Sequence, residues 1–265
     1  MSRPAATLLL LFALWAAPAV PEAPAQELPA AFVPGEPVRP VEVLDGDTLR
    51  LADGRELRLA VIAAPKPPLD GEEEAPWPLA EAARAGLAAR ALGHDWELVP
   101  AGTVRDRYGR LLGHLVDGAG RWLNAELVGA GLARVVTRPD LRLGAGPLFE
   151  AEGRARAQRL GLWRDFAYRI LPAEEARFGL NRFALVEGRV LAVAAVRGRS
   201  YLNFGEDWRE DFTVSLDPAA RRLFAHEGLD PAAYEGRRVR VRGWVIPVNG
   251  PMIEVSHPEQ IELIE

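Results

Sequence analysis

From position 41 to 62 the chain alternates apolar and polar residues with the period of a β-strand, broken by turn residues. Val41 to Leu44 and Thr48 to Leu51 read as strands, and Ala52-Asp53-Gly54-Arg55 is a hairpin turn into a third strand over Glu56 to Ile62. The period then changes. LAEAARAGLAARAL, from Leu79 to Leu92, has helical spacing, with Pro78 at its start and Gly93 at its stop. Trp96 to Val99 and Leu111 to Val116 are short strands flanking Thr103 to Arg110. Helices follow over Leu123 to Ala130, stopped by Gly131, and Leu148 to Leu160, stopped by Gly161. These elements predict a small mixed β-barrel with three helices.

Before the first strand, Pro29, Pro34, Pro37 and Pro40 punctuate an extended arm. Pro65 to Pro78 is a loop carrying Asp70, Glu72, Glu73 and Glu74, a solvated acidic face. Residues 166–181 read as a partly helical connector. Beyond it the pattern is again of strands: Leu185 to Val196, Tyr201 to Phe204, Phe212 to Leu216, Val239 to Val245, and one near Ile261 to Ile264. A helix at Pro218 to Gly228 stands between the third and fourth, the element order of a five-stranded OB-like barrel. The fold class expected is α+β, mainly β. Its organisation is an arm (26–38), a first domain (39–165), a connector (166–181) and an OB-like domain (182–265).

The N-terminus adds an address. Arg3 supplies a positive n-region, Ala5 to Trp15 an apolar core and Ala23-Pro24-Ala25 a small-residue cleavage site, so residues 1–25 read as a secretory signal peptide. Its apolar run is short for a membrane span and is followed by Pro18 and Pro21. The expected product is exported, periplasmic or secreted, with no membrane anchor after cleavage. With no cysteine, disulfides, thiolate metal sites and a cysteine nucleophile are excluded. The net charge is -5, so any binding of phosphate must come from a local cluster. All the basic side chains but one are arginines; Lys66 is the exception.

Phosphodiester hydrolysis needs a water, a group to take its proton and positive charge aimed at the oxyanion on phosphorus. Arg58 and Arg110, brought from different strands, are candidates for the last task, because guanidinium pairs phosphate oxygens bidentately. Asp47 is a candidate ligand for a hard cation such as calcium. Asp45 and Asp47 also read as turn residues, and Arg58 and Arg110 as partners of Asp106 or Glu56.

Five pieces in order resemble the thermonuclease family, whose type member is staphylococcal nuclease, over about residues 39–165. They are Asp45-Gly46-Asp47-Thr48; Leu57-Arg58-Leu59; Arg105-Asp106-Arg107-Tyr108-Gly109-Arg110; Asn124 to Val128 with Gly131-Leu132-Ala133; and Ala151-Glu152 leading to Gly161-Leu162-Trp163. The resemblance implies an OB-type barrel with three helices and calcium-dependent nuclease ancestry. It assigns Asp47 to the calcium-binding aspartate, Arg58 and Arg110 to the two phosphate-binding catalytic arginines, and Arg107 and Tyr108 to substrate contacts. The departures lie in one loop. Where the family reads Asp-Thr-Pro-Glu, this chain reads Ala63-Ala64-Pro65-Lys66, so a metal carboxylate has become Ala63 and the catalytic glutamate has become Lys66.

The leading expectation is an exported protein that binds an anionic ligand, single-stranded nucleic acid among them, with weak or no nuclease activity. In that reading Asp47 is vestigial and no cofactor is needed; calcium enters only if the site still functions. One alternative is an active calcium-dependent nuclease acting on DNA or RNA with an acid relocated from Asp70 to Glu74. The other is a non-enzymatic scaffold for a protein partner. His94 and His114 belong to no metal-ligand spacing and are expected to be packed or exposed. Arg197 to Phe204 and Trp208 to Phe212 mix arginine with aromatics, but their domain has 11 arginines against 13 acids, and Tyr201, Phe204 and Phe212 read as barrel core and edge.

Overall fold

The computed structural model of the protein describes residues 28–33, 35–67 and 77–264. The expected signal peptide and the acidic residues Asp70, Glu72, Glu73 and Glu74 lie outside them. The first half contains β1 (Glu36–Val38), β2 (Pro40–Asp45), β3 (Thr48–Leu51), β4 (Glu56–Leu59), β5 (Ile62–Ala63), α1 (Ala80–Ala91), β6 (Trp96–Arg105), β7 (Leu111–Val116), α2 (Leu123–Gly129), β8 (Arg134–Val135) and α3 (Ala145–Ala157). Six of the strands form one curled sheet in the order β1-β6-β7-β4-β3-β2, and β5 pairs with β8 alone. Leu49, Leu51, Leu57 and Leu59 turn inward, as the alternation requires, and meet Ala83 and Leu87 of α1 and Leu127 of α2 in one core.

Four boundaries differ from the sequence expectation. The end of the proline-rich arm is itself an edge strand, with Glu36 to Val38 antiparallel to Leu98 to Trp96. The strand expected to reach Ile62 stops at Leu59, because Val61 takes a left-handed φ of 64° and re-aims the chain toward β8. A β-branched residue there costs about 1–3 kcal/mol. Three bonds hold the turn: Ala60 N–H donates to Gly113 O, Val136 N–H to Val61 O, and the Asn124 amide to Ala60 O. β6 runs on through Arg105. Helix α3 starts at Ala145, three positions before the expected Leu148, since Pro147 falls in the first turn, where its missing N–H breaks no bond.

After short 3-10 turns at Gly161–Arg164 and Phe166–Tyr168, the second half forms β9 (Leu171–Pro172), a third such turn at Ala173–Gly179, β10 (Phe183–Arg189), β11 (Ala192–Val196), β12 (Arg199–Asn203), β13 (Thr213–Leu216), α4 (Pro218–His226), β14 (Arg238–Pro247), β15 (Pro251–Val255) and β16 (Ile261–Leu263). Its curled sheet runs β11-β12-β13-β15-β14-β10-β9, with β16 also on β14. Asp217 caps α4 through the Ala220 amide and Pro218 begins it. The single strand expected over Leu185 to Val196 is two, broken where buried Val190 bonds the Gly236–Arg237 backbone. β9 and β15 are additional strands, so with that split the sheet has eight strands where five were expected. Asn249 and Gly250, both at positive φ, turn the chain from β14 into it.

Each half has its own core, and buried charge joins them. Arg242 on β14 is 1% exposed and donates to Val135 O at 3.0 Å. Its guanidinium pairs with Glu152 of α3 at 2.9 Å and with Glu262 of β16. Glu152 also accepts the Val135 amide and pairs with Arg156. His257 meets Thr137 across the same join at 2.7 Å, and Arg142 pairs with Glu227 and Glu259. Removing one partner of a buried pair strands the other charge. Glu152→Ala is therefore expected to lower unfolding stability by about 3–5 kcal/mol, measured by urea denaturation, while Arg138→Ala at an exposed pair changes it by under about 1 kcal/mol.

Candidate functional site

The β2–β3 turn brings two carboxylates and the following loop together. Gly46 makes that approach possible: a Cβ there would lie 2.6 Å from the Ala64 Cβ and 2.8 Å from the Ala83 Cβ. The turn is thus pressed on the loop and on α1. Asp47 is fully buried, and its Oδ2 accepts the Ala64 amide at 2.8 Å. Its Oδ1 accepts the Thr48 hydroxyl at 3.1 Å. Asp45 Oδ1 accepts the Asp47 amide at 2.9 Å, closing the turn.

Lys66 fills the space between the acids. Its Nζ donates to Asp45 Oδ2 at 2.7 Å and also to Asp47 Oδ1. Burial raises the Asp45 pKa, but the Lys66 charge, together with hydrogen bonds from Lys66, the Asp47 amide and Thr48, outweighs it and holds the carboxyl below its ordinary value. Arg58 reaches the same carboxylate from β4, its Nε 3.7 Å from Asp47 Oδ1. The register explains this, because Arg58 pairs with Thr48, the residue after Asp47. Lys66 thus faces the turn and is held by its acids, not open to an anion from every side as the sequence alone allowed.

Arg58 also pairs with Leu112 of the parallel neighbour β7, and Arg110 lies two positions before Leu112. Arg110 thus stands at the end of the β6–β7 turn, at the entry to the strand beside β4. Arg110 is engaged by Asp106, with Nε and Nη2 each 2.7 Å from Oδ2. Asp106 also accepts the Tyr108 and Arg110 amides, so it organises the whole turn. Tyr108 is 67% exposed and carries the Arg107 and Arg110 guanidiniums at 4.8 and 5.1 Å from its ring centre. The structure brings Asp45, Asp47, Arg58 and Lys66 into direct contact, and seats Arg107, Tyr108 and Arg110 together on the β6–β7 turn. Among the described residues no group of three or more His, Cys, Asp or Glu could hold a metal ion.

Residues 56–165 match the family model described as Staphylococcal nuclease homologue. These residues are a staphylococcal nuclease-type domain. The match contains Arg58, Lys66 and Arg110 but begins after Asp45 and Asp47, which the β2–β3 turn delivers to it through the pairing of β3 with β4. A nuclease-type domain points to nuclease-like or nucleic-acid-binding function. No curated protein matches the chain. No helix among the described residues is long and apolar enough to cross a membrane.

Both histidines named in the sequence are accounted for by packing. His114 is fully buried against Phe32 and Trp122, and burial pushes its pKa down to about 3. His94 stands beside the Trp96 ring. Phe212 is buried and its ring lies tilted against that of half-buried Phe204, as core residues, and Trp208 is exposed under Arg209. Sequence reasoning missed Arg134, which pairs with Ala63 across β5–β8. The nuclease-like Gly131-Leu132-Ala133 segment just before it was the available signal.

The pH response of the acidic turn has a defined sign. The folded Asp45 pKa lies below its unfolded value, so its contribution to stability is present above the unfolded carboxylate pKa near 4 and is lost as pH falls through the lower folded one. Lys66→Met leaves two neighbouring carboxylates without that cation, which favours protonation in the folded state. Thermal melts should show the variant least stable relative to the wild type at about pH 7 and closest to it below about pH 4. A deficit independent of pH would show that the lysine contributes through packing alone.

Proposed function

We propose that this is an exported protein that binds an anionic ligand, in the first place single-stranded nucleic acid, through its nuclease-type domain and hydrolyses it weakly or not at all. The observation that carries the reading is the Lys66 ammonium seated on Asp45 and Asp47. Calcium takes six to eight oxygen ligands, several of them carboxylate. Here both acids of the turn hold a tethered cation, and position 63 offers a methyl group. A divalent ion about 4 Å from the ammonium meets a repulsion of about 8 kcal/mol at an effective dielectric near 20. The residues present do not fit calcium.

Hydrolysis also needs a proton acceptor. Losing a general base alone costs a factor of about 10² to 10⁴. The carboxylates of the turn are engaged by Lys66, and Asp106 by Arg110. Positive charge remains. Arg58 is about one-third exposed, and Arg107 and Arg110 flank an exposed tyrosine ring, a pairing of guanidinium and aromatic faces suited to phosphate and an unstacked base. Export rests on the N-terminal sequence pattern.

Single-stranded DNA should bind equally in calcium and in EDTA at low salt, measured by fluorescence anisotropy. Arg58→Ala with Arg110→Ala should weaken binding at least tenfold. Calcium-dependent cleavage at the rate of an intact nuclease would overturn the reading in favour of the relocated-acid enzyme. Undetectable binding that is indifferent to both arginines would favour the protein scaffold. Ala63→Asp with Lys66→Glu should create calcium binding detectable by calorimetry where the wild type shows none.

A further inference from the structure

A second group of arginines and aromatics lies where the two halves meet, apart from the acidic turn. Arg134 of β8 is wedged between the rings of Tyr168 and Phe183, 5.4 and 4.9 Å from their centres. One of its donors bonds Phe183 O at 3.1 Å. Among the described residues no carboxylate stands within ion-pair distance of Arg134. A largely buried guanidinium with five donors ordinarily acquires an anionic partner. Arg182 adds a second positive charge nearby, its one side-chain bond going to Phe178 O. Arg169 closes the group; it is paired with Glu175 at 3.1 Å and lies 3.9 Å over the ring of Phe166, which is 74% exposed. Among the described residues, those lining this cleft include Arg134, Arg169, Arg182, Trp77, Tyr168 and Phe183 and no acid.

We propose that this cleft is a second subsite for single-stranded nucleic acid, in which Arg134 and Arg182 take a backbone phosphate and Trp77, with the exposed Phe166 beside the cleft, offers a ring face to unstacked bases. The inference rests on the nucleic-acid-binding reading of the nuclease-type site and extends it. Three observations select a strand over a free anion or a peptide. Flat aromatic surface is interleaved with guanidinium, which suits alternating bases and phosphates. The interior of the cleft is narrow, about 10 Å³, the room of a single oxygen, so a ligand lies across its mouth with one oxygen inserted. The cleft also adjoins the first site: the Trp77 amide donates to Lys66 O, and Arg134 is the cross-strand partner of Ala63. Burial lowers the Arg134 pKa to about 10; attraction to Tyr168 and Glu152 offsets part of that and weaker repulsion from Arg242 and Arg182 adds to it, so a phosphate would relieve the remaining penalty.

The test uses the full chain and a 4-thiothymidine-substituted oligothymidylate of about ten nucleotides, a length able to span both sites. Photo-crosslinking followed by peptide mapping should mark peptides carrying Trp77, Phe166 or Phe183, besides the Tyr108 turn. Arg182→Ala and Arg134→Gln should each weaken binding about tenfold and lower the salt dependence by about one phosphate. Arg182→Ala carries the test if Arg134→Gln fails to fold. Crosslinks confined to the Tyr108 turn, with affinity unchanged in Arg182→Ala and reduced in Arg58→Ala, would overturn the subsite and leave the first site standing. Absence of any binding or crosslink would overturn both.

Discussion

A carboxylate removed from water must be answered by charge or hydrogen bonds, and Asp47 sets that demand at the centre of the first half. It is met by the Ala64 amide, the Thr48 hydroxyl, the Lys66 ammonium and, farther off, Arg58. The partners come from three pieces of chain: the loop after β5, which supplies both Ala64 and Lys66, the start of β3, and β4. Satisfying one buried acid therefore fixes the relative position of all three. At about 4 Å and an effective dielectric near 20, each opposite charge contributes about 4 kcal/mol before desolvation is subtracted. That is enough to hold Asp45 ionised beside Asp47, which a bare pair of acids would not allow. A tethered ammonium does this at every metal concentration.

The join between the halves obeys the same rule. Arg242 leaves the second sheet and enters the first half, where Glu152 and Val135 O receive it and the Phe149 ring lies 4.3 Å away, while Glu262 of its own half holds it from β16. Glu152 is 0% exposed and belongs to the same segment that resembles the nuclease family. Burial alone would lower the Arg242 pKa, yet the two glutamates raise it above its ordinary value. Pairs of this kind gain little stability over well-packed apolar residues. What they impose is orientation, because a guanidinium fork accepts its partners in few geometries.

Periodicity made most of both sheets legible. Alternation located β2, β3, β4, β7 and β14, and Gly or Pro punctuation located α1, α2 and α4. It failed where local preference is overridden. Nothing in Leu59-Ala60-Val61-Ile62 announces that Val61 will be held left-handed, because the bonds that hold it come from Gly113, Asn124 and Val136. β15 is short and starts with proline, though Asn249-Gly250 before it carried a usable turn signal. At the site, residue identities were legible and pairings were not. Position 66 told of a lost glutamate, but that its replacement bridges both acids depends on the close contact of Gly46 with Ala64. Arg134 was marked only by the Gly131-Leu132-Ala133 segment before it, since its surroundings are assembled from segments about 30 and 50 residues downstream.

A lysine in this place also limits the chemistry that can remain. An ammonium has three donors and no acceptor. Two donors are directed at Asp45 and Asp47, which leaves one, on a side chain 36% exposed, for an oxygen approaching from solvent. A phosphate oxygen can take that donor while Arg58 takes another, so anion binding is compatible with the site. Water activation is not served in the same way. The ammonium lacks the vacant coordination positions through which a metal ion lowers the pKa of a bound water. The nearby carboxylates are themselves held as hydrogen-bond acceptors, so taking a proton from water would require giving up those bonds. On the proposed reading, the exchange of glutamate for lysine converts a site able to bind and cut into one built to bind.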